Sequence, residues 1–148
     1  MTSYVKVSEL KREPIYMNVI TRRQPATVGY SFDPEVFGPS FWFTLHNGST
    51  SYPINPSQFV KLGMKNLLIN LPLLIPCINC REHFYAFLRS SDIDSAVSSK
   101  ENLFGFLVDV HNYVNRRYGK RIISIDEAKH LYSFYKPGLG APVRITYT

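Results

Sequence analysis

The chain has 148 residues, of which 45% are hydrophobic and 19% are charged, a composition typical of one globular domain. Two cysteines are too few for a disulfide scaffold, and the longest apolar stretch, "LLINLPLLIPCI", is too short and too proline-broken to span a bilayer. The net charge of +6 leaves open a nucleic acid, an acidic membrane face or a phosphate-bearing ligand as partner.

Residues 1–36 are predicted to form an irregular N-terminal arm, because the first 30 residues show no helical period and contain two prolines. Residues 1–24 contain no apolar core of signal-peptide length, so we expect a cytoplasmic protein. Residues 37–136 read as a helical domain, and residues 137–148 as a loose C-terminal tail rich in glycine and proline.

The first two helices are predicted on either side of a proline-rich turn. "GPSFWFTLHNGS" opens with Pro39 in a good first-turn position and brings Trp42 and His46 together at i, i+4 spacing. A second helix opens at Pro56-Ser57 and ends at Pro72 and Pro76. Its amphipathic face is made of Val60, Met64, Leu67, Leu68 and Leu71.

Three more helices follow in the second half of the domain. One is expected to start at the CxxC and to run through "REHFYAFLRS". The next begins at a capping box, Ser98 with Glu101, and ends at Gly119, and the last begins at a second capping box, Ser124 with Glu127, and runs to about Tyr135. Five helices with short connections predict an all-α bundle.

The two cysteines, Cys77 and Cys80, can form a disulfide, hold a metal ion or simply fill a core. A helix N-terminus favours the thiolate, which is the form that attacks disulfides. A structural zinc site usually adds a second close-spaced doublet, and no such doublet occurs among the four histidines, which are His46, His83, His111 and His130. The flanks are helical, so the βαβ context of a thioredoxin motif is also missing. A zinc- or nucleic-acid-binding helical module stays open as the alternative.

A redox dithiol also needs a destination for its electrons, and oxidation by oxygen calls for a carrier, usually a flavin. A flavin dinucleotide needs flat walls, hydrogen-bond donors and cations. The chain offers candidates for all three, namely Trp42, His46 and Tyr52, then His111, Asn112 and Asn115, then Arg116, Arg117 and Lys120. A single helical histidine is more often a core residue, and an asparagine four residues later can bond locally, so no member of this set decides the function alone.

Four blocks taken together carry a family resemblance: "GPSFWFTLH", "YP", "PCINC" and "HNYVNRRYGK". In this order they resemble the Erv/ALR-type FAD-linked sulfhydryl oxidases, over about residues 37–135. The resemblance implies a four-helix bundle with a short fifth helix, cradling FAD, and a homodimer formed through helix faces.

The resemblance also implies a set of site residues. Cys77 and Cys80 would be catalytic, and no metal site is expected. The positions that match FAD contacts are Gly38, Trp42, His46, Tyr52, His111, Asn112, Asn115, Arg116, Arg117, Lys120 and Tyr132, with Tyr135 as the alternative to Tyr132.

By the same analogy a client thiolate attacks Cys77, a second client thiol resolves the mixed disulfide, and Cys80 passes two electrons to FAD and on to oxygen, giving hydrogen peroxide. The extra shuttle and structural cysteine pairs of cellular members are missing. This minimal form resembles the oxidases of large cytoplasmic DNA viruses. We therefore expect a thiol-bearing client protein or small thiol intermediary as partner, a location in the host cytosol or virion, and no nucleic-acid or membrane partner.

Overall fold

Each described α-helix begins after a side chain that caps its first turn. The computed structural model describes residues 32–136, and within them it contains six α-helices and one 3₁₀-helix. The elements are α1 (Pro34–Ser49), α2 (Gln58–Asn70), the 3₁₀-helix (Leu71–Leu74), α3 (Ile78–Arg89), α4 (Ile93–Ala96), α5 (Lys100–Arg117) and α6 (Ile125–Leu131).

The first helix begins earlier than the sequence pattern predicted. The Asp33 carboxylate accepts a hydrogen bond from the backbone N–H of Glu35 at 2.9 Å, and Pro34 occupies the first helical position. Pro39 therefore lies inside α1 instead of opening it. The predicted boundary between the arm and the helical domain, at residues 36 and 37, falls within this helix.

The predicted start of α2 is confirmed and the capping box of α5 is wrong. Ser57 caps α2 by accepting a hydrogen bond from the Val60 N–H at 3.3 Å. In α5, however, Ser99 rather than Ser98 is the cap, and its hydroxyl accepts from Asn102 N–H at 3.1 Å. The carboxylate of Glu101 does not reach back to the helix start, because it pairs with Lys129 of α6.

The last predicted helix starts where expected and ends earlier. Ser124 caps α6 by accepting from Glu127 N–H at 3.1 Å, while the Glu127 carboxylate pairs with Arg121. The helix stops at Leu131, and Ser133 adopts a left-handed φ of 51° in the turn that follows.

Helix α5 lies at the centre of the bundle and contacts α1, α3, α4 and α6. Apolar side chains on two sides of α5 pack into two separate cores. One stripe, with Leu103, Leu107 and Val110, packs into the main core together with Phe84 of α3 and Leu68 of α2. The other side faces a smaller core, whose members are Phe104, Val108, Ala128 and Phe134.

The all-α bundle expected from the sequence is confirmed. The short helix α4, capped by Asp92, and the 3₁₀-helix that contains Pro72 were not expected. Four-residue helices carry too little periodicity to be found in a pattern. The predictions for the arm up to residue 31 and for the tail from residue 137 lie outside the described residues.

Candidate active site

A disulfide joins Cys77 to Cys80 at the start of α3, with the two Cα atoms 5.2 Å apart. Cys77 is the N-cap residue, and its Sγ accepts a hydrogen bond from the backbone N–H of Cys80 at 3.2 Å. The Arg81 guanidinium braces the entry to the helix by donating from Nη2 to the Ile75 carbonyl at 2.9 Å. Both cysteines are only half-buried, so the pair is open to attack, unlike two inert core residues.

Four aromatic rings from three parts of the chain stack beside one another. Trp42 of α1 lies on His111 of α5 with ring centroids 4.1 Å apart and planes 6° apart. One turn after Trp42, the Nε2 of His46 lies 3.0 Å from the Nδ1 of His111. Tyr132, just after α6, stacks on His46 with centroids 4.7 Å apart. The cluster forms because α1 and α6 both pack against α5.

Both histidines of this ring cluster are held neutral. Burial, with a smaller effect of the neighbouring His111, lowers the pKa of His46 to about 3. Burial, and then the charge of Lys120, lowers the pKa of His111 to about 4. At neutral pH one ring nitrogen of the pair therefore donates a hydrogen bond and the other accepts it.

One nitrogen in the cluster has no partner. Among residues 32–136, His46 Nδ1 is the buried side-chain N or O atom that lacks a hydrogen bond. An orphaned buried polar atom costs roughly 1–3 kcal/mol and calls for an explanation such as a ligand. The flat faces and this free nitrogen together fit a planar, hydrogen-bonding ring system.

Three of the predicted residues instead hold the protein's own backbone. The Asn112 amide pairs at both ends with Ile123, donating to its carbonyl at 2.8 Å and accepting from its N–H at 3.1 Å. Asn115 donates to the Arg121 carbonyl at 3.2 Å. Tyr52 is buried in the main core, and its hydroxyl donates to the Val97 carbonyl at 2.9 Å. These contacts shape the connections around the site, and the structure does not bring Tyr52 into the ring cluster.

The basic residues cluster at the C-terminal end of α5. Arg116, Arg117 and Lys120 are exposed there, and Lys120 pairs with Glu35 of α1 at 2.7 Å. Gly38, the remaining predicted site residue, is buried within α1. Arg116 and Arg117 thus lie on the same helix as His111 of the ring cluster.

The sequence reasoning did not single out Tyr118. Its hydroxyl lies 3.5 Å from Cys80 Sγ, although the two residues are 38 positions apart in the chain. No spacing pattern could have found this contact, because it depends on how α5 packs against α3.

The zinc alternative finds no support within residues 32–136, where no three side chains of His, Cys, Asp or Glu come together as a metal site. His83, one turn after Cys80 on α3, is half-buried. None of the helices in this part of the chain is both long and apolar enough to cross a bilayer.

Comparison with known proteins agrees with this geometry. The model of the Erv1/Alr family matches residues 39–133. Protein 347L of invertebrate iridescent virus 6, whose name is that of an FAD-linked sulfhydryl oxidase, is 35% identical over 107 residues, covering 69% of this chain and 96% of the viral one. The FAD-linked sulfhydryl oxidase of African swine fever virus is 30% identical, covering 65% of this chain and 79% of its own.

Solved structures show the same fold. The yeast Erv1 core is 26% identical and superposes with a TM-score of 0.63, covering 81% of this chain and all of its own. The FAD-binding domain of Erv1 from Saccharomyces cerevisiae is 29% identical, also with a TM-score of 0.63, over 68% of this chain and 93% of its own. With the family pattern spanning the redox disulfide, the ring cluster and the basic end of α5, this chain belongs to the Erv1/Alr family.

Proposed function

We propose that this protein is an FAD-dependent thiol oxidase that forms disulfides in client proteins and passes the electrons to oxygen. The observation that carries the proposal is the half-exposed Cys77–Cys80 disulfide, which lies in the same bundle as a stacked ring cluster with an orphaned nitrogen. Relatives named as FAD-linked sulfhydryl oxidases support it.

The residues present fit the cofactor. The rings of Trp42, His46, His111 and Tyr132 offer flat faces for it, and His46 Nδ1 offers a hydrogen-bonding atom. The pyrophosphate of FAD would be bound by the cations Arg116, Arg117 and Lys120. This role explains the basic cluster without a nucleic-acid partner. Gly38, Asn112, Asn115 and Tyr52 stay predictions as FAD contacts, and their support is the match to the family pattern. Bound FAD supplies the acceptor for two electrons of the dithiol and hands them to oxygen, which gives hydrogen peroxide.

The chain's own residues carry out the thiol exchange. A client thiolate attacks Cys77 Sγ, so a mixed disulfide forms and the Cys77–Cys80 bond breaks with its electron pair on Cys80. A second client thiolate then attacks the client sulfur of that mixed disulfide, and Cys77 leaves as a thiolate. Its position as N-cap of α3, with the Cys80 N–H pointing at its sulfur, stabilises that negative charge. The net result is one client disulfide and one reduced CxxC.

A second copy of this chain is the partner that we propose for helix α2. Phe59, Leu62 and Ile69 are 86%, 58% and 42% exposed, and their spacing places them on one side of the helix. Large apolar side chains exposed together are typical of an interface. A homodimer through this face would cover them.

The client remains a thiol-bearing protein or a small thiol intermediary. Cys77 and Cys80 are the two cysteines of the sequence, so the CxxC would exchange directly with the client or with a small intermediary protein. We propose that it works in the host cytosol or the virion, as the viral relatives suggest.

Cofactor binding and oxygen consumption test the proposal. The purified chain, reconstituted with FAD, should be yellow with an absorption band at about 450 nm. It should consume oxygen when dithiothreitol is added. The Cys80→Ser variant should keep the bound FAD and lose turnover. A chain that stays colourless after incubation with FAD, or a Cys80→Ser variant that still consumes oxygen, would contradict the proposal.

A further inference from the structure

Tyr118 stands at the point where α5 ends beside the CxxC. It is the C-cap residue, and its backbone N–H bonds to the carbonyls of Val114 and Asn115, each at 3.2 Å. Gly119 follows with a left-handed φ of 63°, which a glycine adopts without strain and which ends the helix. The backbone of Tyr118 is therefore fixed while its ring reaches across to α3.

The tyrosine hydroxyl is a hydrogen-bond donor to the disulfide. Its oxygen lies 3.5 Å from Cys80 Sγ, within the range of hydrogen bonds to sulfur. A disulfide sulfur carries no proton, so the tyrosine O–H must donate and the sulfur must accept. Of the two sulfurs, the tyrosine hydroxyl contacts Cys80 Sγ. The other sulfur, Cys77 Sγ, accepts the backbone N–H of Cys80.

Arg117 brings a positive charge close to this contact. Arg117, the neighbour of Tyr118, is close enough to α3 to lower the pKa of His83, in second place after burial and against the opposing effect of Glu82. His83 lies one turn after Cys80 on the same helix. The cationic end of α5 thus faces the stretch of α3 on which a negative charge would develop.

We propose that Tyr118 is a further catalytic residue, which stabilises the Cys80 thiolate as it leaves the disulfide. The proposal rests on the proposed thiol oxidase function. When the client sulfur bonds to Cys77 Sγ, the electron pair of the broken S–S bond goes to Cys80 Sγ, and the Tyr118 O–H donates its hydrogen bond to that new anion. No proton needs to move and no further reactant is required.

Each sulfur that leaves then has its own donor. Cys80, which leaves in the first exchange, has the tyrosine hydroxyl, and Cys77, which leaves in the second, has the N–H at the start of α3. Thiols with a lower pKa leave faster, so a donor at each sulfur speeds both exchanges.

Alkylation of a single thiol isolates the effect. In the full-length Cys77→Ser chain Cys80 is the only thiol, and serine keeps the N-cap of α3. Adding Tyr118→Phe should raise the pH midpoint of iodoacetamide alkylation by about 0.5–1 unit, because a hydrogen bond to a charged group is lost. In the chain with both cysteines, Tyr118→Phe should slow cleavage of the disulfide by dithiothreitol about three- to tenfold.

Matched variants separate the hydroxyl from the ring. Tyr113→Phe removes a hydroxyl from the same helix, where the ring packs on Phe87 at 5.2 Å, and should shift neither readout. Tyr118→Leu, which also lacks the hydroxyl, should give the same midpoint shift as Tyr118→Phe. A shift in the leucine variant alone would assign the effect to packing and overturn the proposal, as would an unchanged midpoint in the phenylalanine variant.

The alkylation assay needs neither FAD nor oxygen. If wild type binds no FAD, the proposed oxidase fails while the alkylation midpoint still reports on Tyr118. If wild type is an active oxidase and Tyr118→Phe alkylates like its parent, only the role of Tyr118 is overturned.

Discussion

His46 and His111 pack together as two uncharged rings, and this arrangement makes the folded protein less stable in acid. Their pKa values of about 3 and about 4 lie below the ordinary value of 6.5. Below pH 6.5 the unfolded chain therefore binds protons that the folded chain does not. The stability that comes from the neutral pair is complete above about pH 6.5 and is lost as the pH falls toward the folded pKa values.

Urea unfolding of the FAD-free chain between pH 7 and pH 5 measures this loss. We expect the free energy of unfolding to fall with a limiting slope of about 1.4 kcal/mol per pH unit for each histidine. His46→Asn should flatten the slope, whereas His130→Gln, at an exposed position on α6, should leave it unchanged. Equal slopes in wild type and His46→Asn would show that the pair does not govern the acid response.

Single residues show where the sequence was sufficient and where it was not. The i, i+4 pair Trp42 and His46 was predicted to come together, and the two rings stack, because helical spacing alone puts both on one side of α1. Tyr52 was grouped with them as a candidate for a flat wall, yet its ring packs in the main core. The tyrosine–sulfur contact was missed, because nothing in local spacing relates residues on different helices.

The turn that follows α6 is held by two lysines instead of a disulfide. Lys129 is buried and pairs with Glu101 of α5, and hydrogen bonding to that carboxylate raises its pKa. Lys100 donates to the Phe134 carbonyl at 3.0 Å and lies over the Phe134 ring. Together they hold the segment that carries Tyr132 against α5.

Removing the carboxylate tests this clamp. Glu101→Gln should lower the free energy of unfolding by about 1–2 kcal/mol, because the buried ammonium of Lys129 loses its charged partner. The matched control is Asp94→Asn, which breaks an exposed ion pair with Lys65 and should cost about 0.5 kcal/mol or less. Equal losses in both variants, measured by urea unfolding, would mean that the Glu101–Lys129 pair contributes no more than the exposed pair does.

The periodic pattern of apolar residues predicts the long helices well. The stripes of α5 and the caps of α2 and α6 follow from periodicity and from serine placement. The capping box of α5 failed because Glu101 has a stronger partner in α6, which lies 28 residues away. Local rules give the ends of helices only when no distant charge competes for the capping side chain.

At the level of the assembled protein, the exposed face of α2 should hold two chains together. Leu62→Glu places a charge among Phe59 and Ile69 and should convert a dimer into a monomer in sedimentation equilibrium. Ile122→Glu, which changes an exposed apolar residue in the connection before α6, should leave the dimer intact. A wild-type chain that sediments as a monomer at micromolar concentration would refute the interface.

The central claim is that electrons leave the client through this one pair of cysteines and arrive at FAD. Anaerobic stopped-flow absorbance tests it most directly. Dithiothreitol is added to the FAD-bound chain, and the flavin absorbance at about 450 nm is followed. Wild type should bleach completely, and Cys80→Ser, with the same FAD content, should keep its colour over the same time. Bleaching of Cys80→Ser at the wild-type rate would show that the electrons bypass the disulfide and would contradict the account.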